Sequence, residues 1–272
     1  GVPMQQVVAS ALAGLGQYIR RERSFTGEPP QRIETTGGRT REEIVRTLDS
    51  AAYVLQNIVA FGMRVKTAVE SGDVDFSAAW VLDGNATTQI DKINDFSPSS
   101  QVTNLVSELL LLMKTATVAD EAIKAYKENG QKPVIALQNT LGSFLADYVE
   151  ENGVEPGDRI NITYSDILRL AVRRQMRISG EDAAGDPIKL QLTPEMLGLE
   201  DEHAELLNLV AAADLELPAS PIDYFHMRFR QAGLRSGELT GRSDYIEYQE
   251  NDREGVYRVR STEERNKGTA VN

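Results

Sequence analysis

Apolar residues recur at helical spacing through the first half of the chain, and helix-start signals precede each run. The capping box Thr40-Arg-Glu-Glu43 opens a run that predicts a helix to about Glu70. Ser97-Pro98 predicts the start of a second long helix through QVTNLVSELLLLMK. A third is predicted from Thr117 to Asn129-Gly130, a common helix stop. Before them, MQQVVASALAGLG is predicted to be a short helix and QYIRRERSF an extended segment.

The pattern changes in the stretch KPVIALQNT, Lys132 to Thr140. Four apolar residues between a Pro and a polar group are typical of a short strand buried on both faces, which we place at 133–138. Apolar residues from Leu141 at helical spacing predict a helix that ends at Asn152-Gly153. A second short strand is predicted at 237–240, within SGELTGR. We expect these two strands to be parallel neighbours in one sheet.

Helices are also predicted between these strands and after them. YSDILRLAVRRQMRIS follows the cap pair Thr163 and Asp166, and TPEMLGLEDEHAELLNLVAAAD opens at Thr193-Pro194. Ser220-Pro221 predicts the start of a helix that Gly233 ends. YIEYQENDREGVYRVR predicts a hairpin around a Glu254-Gly255 turn, and Ser261-Thr-Glu-Glu264 predicts one more helix.

The amino-acid composition argues against several classes of function. The chain of 272 residues has 41% apolar residues, enough for a substantial core, and no apolar run long enough to cross a bilayer. It has no Cys and two His, so thiolate metal sites and Cys-His or Ser-His catalysis lose their usual parts. His203 and His226 are far apart in sequence, and we predict neither as a metal ligand. We expect a soluble, cytoplasmic protein that does not enter a membrane.

The charge is acidic and unevenly distributed. The net charge of -12 argues against a protein whose whole surface grips nucleic acid. Eleven Asp and Glu lie between Glu181 and Asp223 against one Lys, and we interpret this block first as a solvated helical face. Any nucleic-acid contact is therefore expected outside it.

Three stretches resemble the strawberry notch type of superfamily 2 helicase. They are KPVIALQNTLGSFLADY, LPASPIDYFHMRFRQAGLRSGELTGR, and GVPMQQVVASAL with GQYIRRERSF near the beginning. The resemblance extends over most of the chain and is strongest at 131–144 and 217–242. In that family two RecA-like lobes close on ATP and a nucleic-acid strand.

The resemblance implies a fold class and a division of the chain. Residues 1–130 would be the exit from the first lobe and a helical connector, and 131–272 part of the second RecA-like lobe, with an acidic helical insertion at about 153–216. The implied fold is helix-rich α/β, a long helical region followed by a partial RecA-like parallel sheet. We also expect the sequence, which starts without Met, to be an excerpt of a longer polypeptide.

The resemblance places the ATP chemistry outside this chain. G-x-x-x-x-G-K-[ST] is absent, and Gly37-Gly38 is interpreted as a surface turn. We expect no catalytic residue, no metal site and no cofactor in the chain itself, with ATP and Mg²⁺ bound by the full-length parent. The isolated chain is expected neither to bind ATP tightly nor to hydrolyse it.

The candidate nucleic-acid-binding residues follow the two predicted strands. Asn139 and Thr140 come after the first strand, where amide and hydroxyl groups suit backbone contacts or, alternatively, a strand end and helix cap. Thr240, Gly241 and Arg242 end the second, where a Gly lets backbone approach a ligand and an Arg can grip phosphate. The alternative for these three is an ordinary turn with a solvated Arg.

A basic run near the start supplies a further candidate contact, Arg20, Arg21 and Arg23, for which a solvated strand edge is the simpler interpretation. The sequence thus predicts a fragment of an ATP-dependent helicase or translocase. Its partners would be DNA or RNA and the first lobe of the same polypeptide, in a bacterial or phage-infected cell. The alternative is a non-catalytic helical module that docks a partner protein.

Overall fold

Long helices and two small antiparallel sheets make up the part of the chain that the structure, a computed structural model, describes: residues 38–83, 90, 92–94, 98–137, 142–249 and 253–261. All of these lie in one compact unit, Thr35–Asn272. The helices are α1 (Arg41–Glu70), α2 (Pro98–Leu112), α3 (Thr115–Asn129), α4 (Gly142–Asn152), α5 (Tyr164–Arg174), α6 (Pro194–Leu197), α7 (Glu200–Ala213) and α8 (Pro221–Gln231). The strands are β1 (Trp80–Asp83), β2 (Lys92–Ile93), β3 (Arg159–Asn161), β4 (Arg177–Glu181), β5 (Pro187–Gln191), β6 (Asp244–Tyr248) and β7 (Glu254–Val259).

Helix α1 confirms the first predicted element. Thr40 and Glu43 form the complete capping box, in which each side chain bonds the other residue's backbone N–H. Val54, Ile58 and Val65 are fully buried on one face. That face packs against α2, α5 and α7, and these four helices form part of a core that extends to both sheets.

Local signals also set other helix ends correctly. Helix α3 ends before Gly130, which adopts the left-handed conformation, although it begins at Thr115 rather than Thr117. Thr163 and Asp166 form a second capping box at α5. Helix α8 begins at Pro221 with Ser220 as its cap, as predicted. Helix α2 begins at Pro98, and its predicted cap Ser97 lies outside the described residues.

Two predicted helices are shorter than their patterns indicated. The helix of YSDILRLAVRRQMRIS stops at Arg174, because Ile178 is fully buried in β4, opposite Leu190 of β5. The next predicted helix is broken by Gly198, whose φ of 61° separates α6 from α7. The acidic region at 153–216 therefore contains three strands as well as helices.

Both sheets are antiparallel among the described residues. One has the order β1-β5-β4-β2, and the other the order β3-β7-β6. The predicted hairpin is confirmed as β6 and β7, but Glu254-Gly255 opens β7 instead of forming the turn. The helix-rich mixed α/β class is therefore correct, whereas a RecA-like parallel sheet is not part of the described structure.

The structure does not show the predicted parallel strands in the residues that it describes. Residues 133–137 and 237–240 have no regular secondary structure, and Gln138 lies outside the described part. Val134 is 93% exposed while Ile135 and Leu137 pack against the core, so this run is buried on one side only. A strand needs a neighbour for its backbone hydrogen bonds, and neither segment pairs with a described strand.

Other predictions fall outside the described residues. These are the short helix and extended segment near the beginning, and the helix after Ser261. The division of the chain at residue 130 stays a prediction. Among the described residues no single helix could span a membrane, although the bent pair of α2 and α3 together has the necessary length and apolar composition.

Candidate functional site

The predicted contact residues are only partly within the described structure. Asn139, Thr140, Arg20, Arg21 and Arg23 lie outside it. Thr240, Gly241 and Arg242 are described, in the segment between α8 and β6. The candidate site is therefore built from these three residues and their neighbours.

Arg242 is buried between two carboxylates. Its Nη1 donates to Asp223 Oδ2 at 3.0 Å, and its Nε donates to Glu238 Oε1 at 2.7 Å. The side chains of Arg242, Asp223 and Glu238 are 4%, 1% and 7% exposed. The guanidinium is therefore used inside the protein, in the planar geometry that suits carboxylates.

Glu238 is the acceptor at the centre of this group. It accepts hydrogen bonds from Arg242, from Arg260 and from the Thr240 hydroxyl, and its Oε2 lies 3.1 Å from His226 Nε2. Burial alone would raise the pKa of Glu238, but these hydrogen bonds hold it well below its usual range. We call Asp223, His226, Glu238, Arg242 and Arg260 the Arg242 cluster.

Three segments meet at the cluster because of local sequence. Ser220 caps α8 and accepts from the backbone N–H of Asp223, which puts Asp223 in the first turn. Asp223 Oδ2 also accepts from the backbone N–H of Ile246 in β6. The cluster thus joins the start of α8, the segment 236–242 and the β6–β7 hairpin.

These contacts change the interpretation of Arg242. The alternative of a solvated Arg is wrong, because the side chain is almost completely buried. A phosphate would have to displace Asp223 or Glu238 to reach the guanidinium. Contact between Arg242 and nucleic acid stays a prediction, while its structural role is evident from the geometry.

Gly241 is one of the exposed residues of this segment and has open space beside its Cα. It is exposed, its φ is not in the left-handed region, and a Cβ added there would meet no atom within 4 Å. Neither backbone conformation nor packing in the described structure therefore requires glycine at this position. Close approach by a molecule outside the described structure would be one reason for it.

His226 lies between a hydroxyl and a carboxylate. Its Nδ1 is 2.7 Å from Ser236 Oγ, and its Nε2 faces Glu238. In a Ser-His-carboxylate hydrolase the carboxylate stabilises the imidazolium that forms, but here two Arg already neutralise Glu238. The adjacent cavity, lined by Leu145 and Arg242, measures only about 10 Å³ and has no room for a substrate. The geometry does not support hydrolysis.

Sequence reasoning missed a second place where charged residues converge. An open groove of about 410 Å³ lies between α5, α7, β1 and the end of β5. Arg169 and Arg173 of α5 line one side, and Trp80 of β1 lines another. The signal was present in the sequence, since RLAVRRQMR carries four Arg in nine residues beside the acidic block.

Comparisons of the chain with protein-family models, with curated proteins and with solved structures gave no match. Within the described residues, no group of three or more His, Cys, Asp or Glu could hold a metal ion.

Proposed function

We propose that the chain is part of an ATP-dependent nucleic-acid helicase or translocase of the strawberry notch type, and that it supplies part of the second motor lobe. One observation supports this most directly. The two halves of the segment 217–242, where the resemblance is strongest, are joined by the contacts of Arg242 with Asp223 and Glu238. The residues of 217–242 thus belong to one folded unit.

The buried ion pairs of Arg242 are expected to fix the position of a segment more than to add stability. Removing a charged group from water into a protein interior costs several kcal/mol per ion. The attraction between the paired ions offsets about the same free energy. A sequence that keeps such ions at the end of SGELTGR fixes the position of this segment. We propose that Arg242 holds Thr240 and Gly241 where they approach the backbone of a bound strand.

We further propose that 133–137 and 237–240 become parallel strands of a RecA-like sheet in the longer polypeptide. Val134 and Leu239 are 93% and 69% exposed, and neighbouring elements would cover such apolar side chains. The proposal includes ATP and Mg²⁺ bound by the first lobe of that polypeptide, DNA or RNA as its substrate, and a cytoplasmic location.

Hydrogen exchange can test the strand proposal. In the isolated chain, the backbone amides of 134–137 and 237–240 are expected to exchange fast, because no described strand pairs with them. In the longer polypeptide we expect protection by at least about 100-fold, as for other paired strands. The β6–β7 amides serve as an internal reference in both. Fast exchange in both proteins would reject the parallel sheet.

Gly241→Ala tests the nucleic-acid contact without disturbing the fold. The added methyl group meets nothing within 4 Å, so the free energy of unfolding is expected to change by less than about 0.5 kcal/mol. If the backbone at Gly241 approaches a bound strand, nucleic-acid-stimulated ATP hydrolysis by the longer polypeptide should fall roughly 10-fold, while hydrolysis without nucleic acid stays the same. Unchanged stimulation would remove Gly241 from the interface.

A non-catalytic docking module is the second candidate function. The observation in its favour is that the two segments expected to build the motor sheet carry exposed apolar residues instead. The same assay separates the candidates: a longer polypeptide whose ATP hydrolysis is absent with and without DNA or RNA would favour docking.

A further inference from the structure

The groove beside α5 has the size and lining of a ligand site. Its volume of about 410 Å³ falls within the range of small-molecule sites, roughly 300 to 1,000 Å³. Apolar side chains form much of the wall, and its polar residues are Glu151, Arg169, Arg173, Gln191, Thr193 and His203. The apolar residues are Leu170, Met176, Leu192, Pro194 and Leu207.

Two arginines on one face of α5 supply positive charge to the groove. Arg169 and Arg173 are four residues apart, and their side chains are 46% and 40% exposed. Arg169 pairs with Asp166 at 2.6 Å, and Arg173 pairs with Glu151 at 3.0 Å. Each pair uses one terminal nitrogen of a group with five N–H donors, so both arginines can also bind an anion.

Beside the groove, the arginines outnumber the carboxylates with which they form ion pairs. Arg169, Arg173, Arg174 and Arg177 lie beside three carboxylates, those of Asp147, Glu151 and Asp166. The carboxylates are 17% to 22% exposed, whereas Arg169 and Arg173 are exposed about twice as much. In a chain with a net charge of -12, this face presents cations to the solvent.

Trp80 adds a flat apolar surface at the same groove. It is 67% exposed on edge strand β1, directly opposite Gln191 of β5. Gln191 is buried and held by hydrogen bonds to Arg177 and to the carbonyl of Arg173, so the floor beneath Trp80 is fixed. An exposed indole beside cations is the arrangement that binds a base and its phosphate together.

We propose that this groove binds a nucleotide unit, with its base against Trp80 and its phosphate at Arg169 and Arg173. The unit would be a free nucleotide or part of a single strand, since both present the same chemistry. His203, whose pKa burial lowers despite the nearby Glu195, lines the groove as a neutral polar group at pH 7. This inference does not depend on the helicase proposal, because it concerns direct binding by the chain itself.

The chain's single Trp makes the test specific. Trp80 fluorescence is followed while AMP, or single-stranded oligodeoxythymidine, is added at low salt. We expect saturable quenching with one or both probes. Similar affinities for both would identify a free-nucleotide site. Binding of the oligonucleotide at least about 10-fold tighter, weakening steeply with salt, would identify a single strand.

Variants of the groove residues, compared with a matched control, show where the nucleotide unit binds. Arg169→Gln with Arg173→Gln should weaken binding at least about 10-fold, because two charge-assisted contacts to phosphate are lost. Arg258→Gln is the matched control, since Arg258 is 45% exposed in its ion pair with Glu247 but lies on the hairpin. Trp80→Leu, measured by calorimetry, should weaken binding at least about 5-fold with the charge unchanged.

Two results would overturn the proposal. One is the absence of quenching with both probes at millimolar concentration. The other is equal affinity in the folded double variant, in Trp80→Leu and in the Arg258→Gln control. A partner protein that quenches Trp80 while neither probe does would mean that the groove is a docking surface instead.

Discussion

Replacing Glu108 with Gln is expected to stabilise the protein by a few kcal/mol at pH 8 and to remove a strong pH dependence. Glu108 of α2 is fully buried, and neither carboxylate oxygen has a hydrogen-bond partner within the described structure. Burial raises its pKa from 4.5 to about 8. The folded protein therefore holds Glu108 as the neutral acid over most of the physiological range.

The sign of the pH dependence follows from this shift. In the unfolded chain Glu108 loses its proton near pH 4.5, while in the folded protein it keeps the proton to about pH 8. Between these values the unfolded state binds fewer protons, so stability falls as pH rises, by at most about 1.4 kcal/mol per pH unit. The stability that depends on Glu108 being neutral is fully present below about pH 4.5 and is lost by about pH 8.

The neighbouring Tyr164 does not donate a hydrogen bond to the buried carboxyl group of Glu108. The hydroxyl of Tyr164, itself fully buried, donates to the carbonyl oxygen of Leu105 at 2.7 Å. Burial, together with the charge that Glu108 would carry, raises the pKa of Tyr164 above its usual range. Both groups therefore stay protonated in the folded protein at pH 7.

Urea unfolding followed by circular dichroism between pH 4.5 and 9 measures the effect. Glu108→Gln keeps the shape and stays neutral, and Glu108→Leu should stabilise at least as much because it buries no unpaired polar group. Glu128→Gln, on the exposed side of α3, is the control and should leave the profile of the native protein unchanged. Parallel profiles for the native protein and Glu108→Gln would mean that Glu108 ionises freely when folded.

The helices were predictable because their start and stop signals are local. The capping box at Thr40, the one at Thr163 and the Ser220-Pro221 start each depend on residues within one turn. Glu108 could have been recognised too, since its spacing places it on the face of α2 that buries Leu105 and Leu112. An acidic residue on the apolar face of a helix indicates a buried carboxyl group.

The strands were harder to predict because their partners are distant in sequence. Trp80 of β1 pairs with Gln191 of β5, which is distant in sequence. Ile178 pairs with Leu190 because the chain turns back between β4 and β5, whereas the apolar spacing there predicted a continuous helix. Conversely, 133–137 has the composition of a buried strand but no described neighbour to pair with. An apolar composition predicts that a segment is buried. It does not predict which strand would pair with that segment in a sheet.

The sequence predicts three residues of the candidate site but neither their neighbours nor their contacts. Sequence reasoning selects Thr240, Gly241 and Arg242 as a ligand contact. It does not anticipate that Asp223, nineteen positions earlier, binds the guanidinium, because the pattern identifies Asp223 only as part of a helix start. The groove at Arg169 was missed because its Trp80 wall comes from a strand that the pattern does not predict.

Arg242→Ala is expected to destabilise the protein by about 3–5 kcal/mol, because it leaves Asp223 and Glu238 buried without their main cation. Arg258→Ala is the matched control, in an exposed ion pair with Glu247, and should cost at most about 1 kcal/mol. Urea unfolding of both variants provides the comparison, and equal small losses would contradict the buried cluster.

A double variant separates the unpaired charge from the lost contacts. Asp223→Asn keeps an acceptor for the backbone N–H of Ile246 and removes the negative charge. Combined with Arg242→Ala, it should be less destabilising than the sum of the two single variants, because no unpaired charge remains at position 223. Simple additivity would mean that Asp223 and Arg242 do not interact.

Arg242→Lys distinguishes a structural from a ligand-binding role. Lys keeps the positive charge but lacks the planar group with which Arg binds phosphate through two N–H bonds, so a direct contact with phosphate would be weakened. A single ammonium cannot span Asp223 and Glu238 as the guanidinium does, so the cluster would still be broken and stability should fall by about 2 kcal/mol or more. Loss of both stability and nucleic-acid affinity at low temperature would support the role of Arg242 in holding Thr240 and Gly241 in place, whereas loss of stability alone would mean that Arg242 acts only on the fold. Full stability with weakened affinity would instead return Arg242 to the nucleic-acid interface.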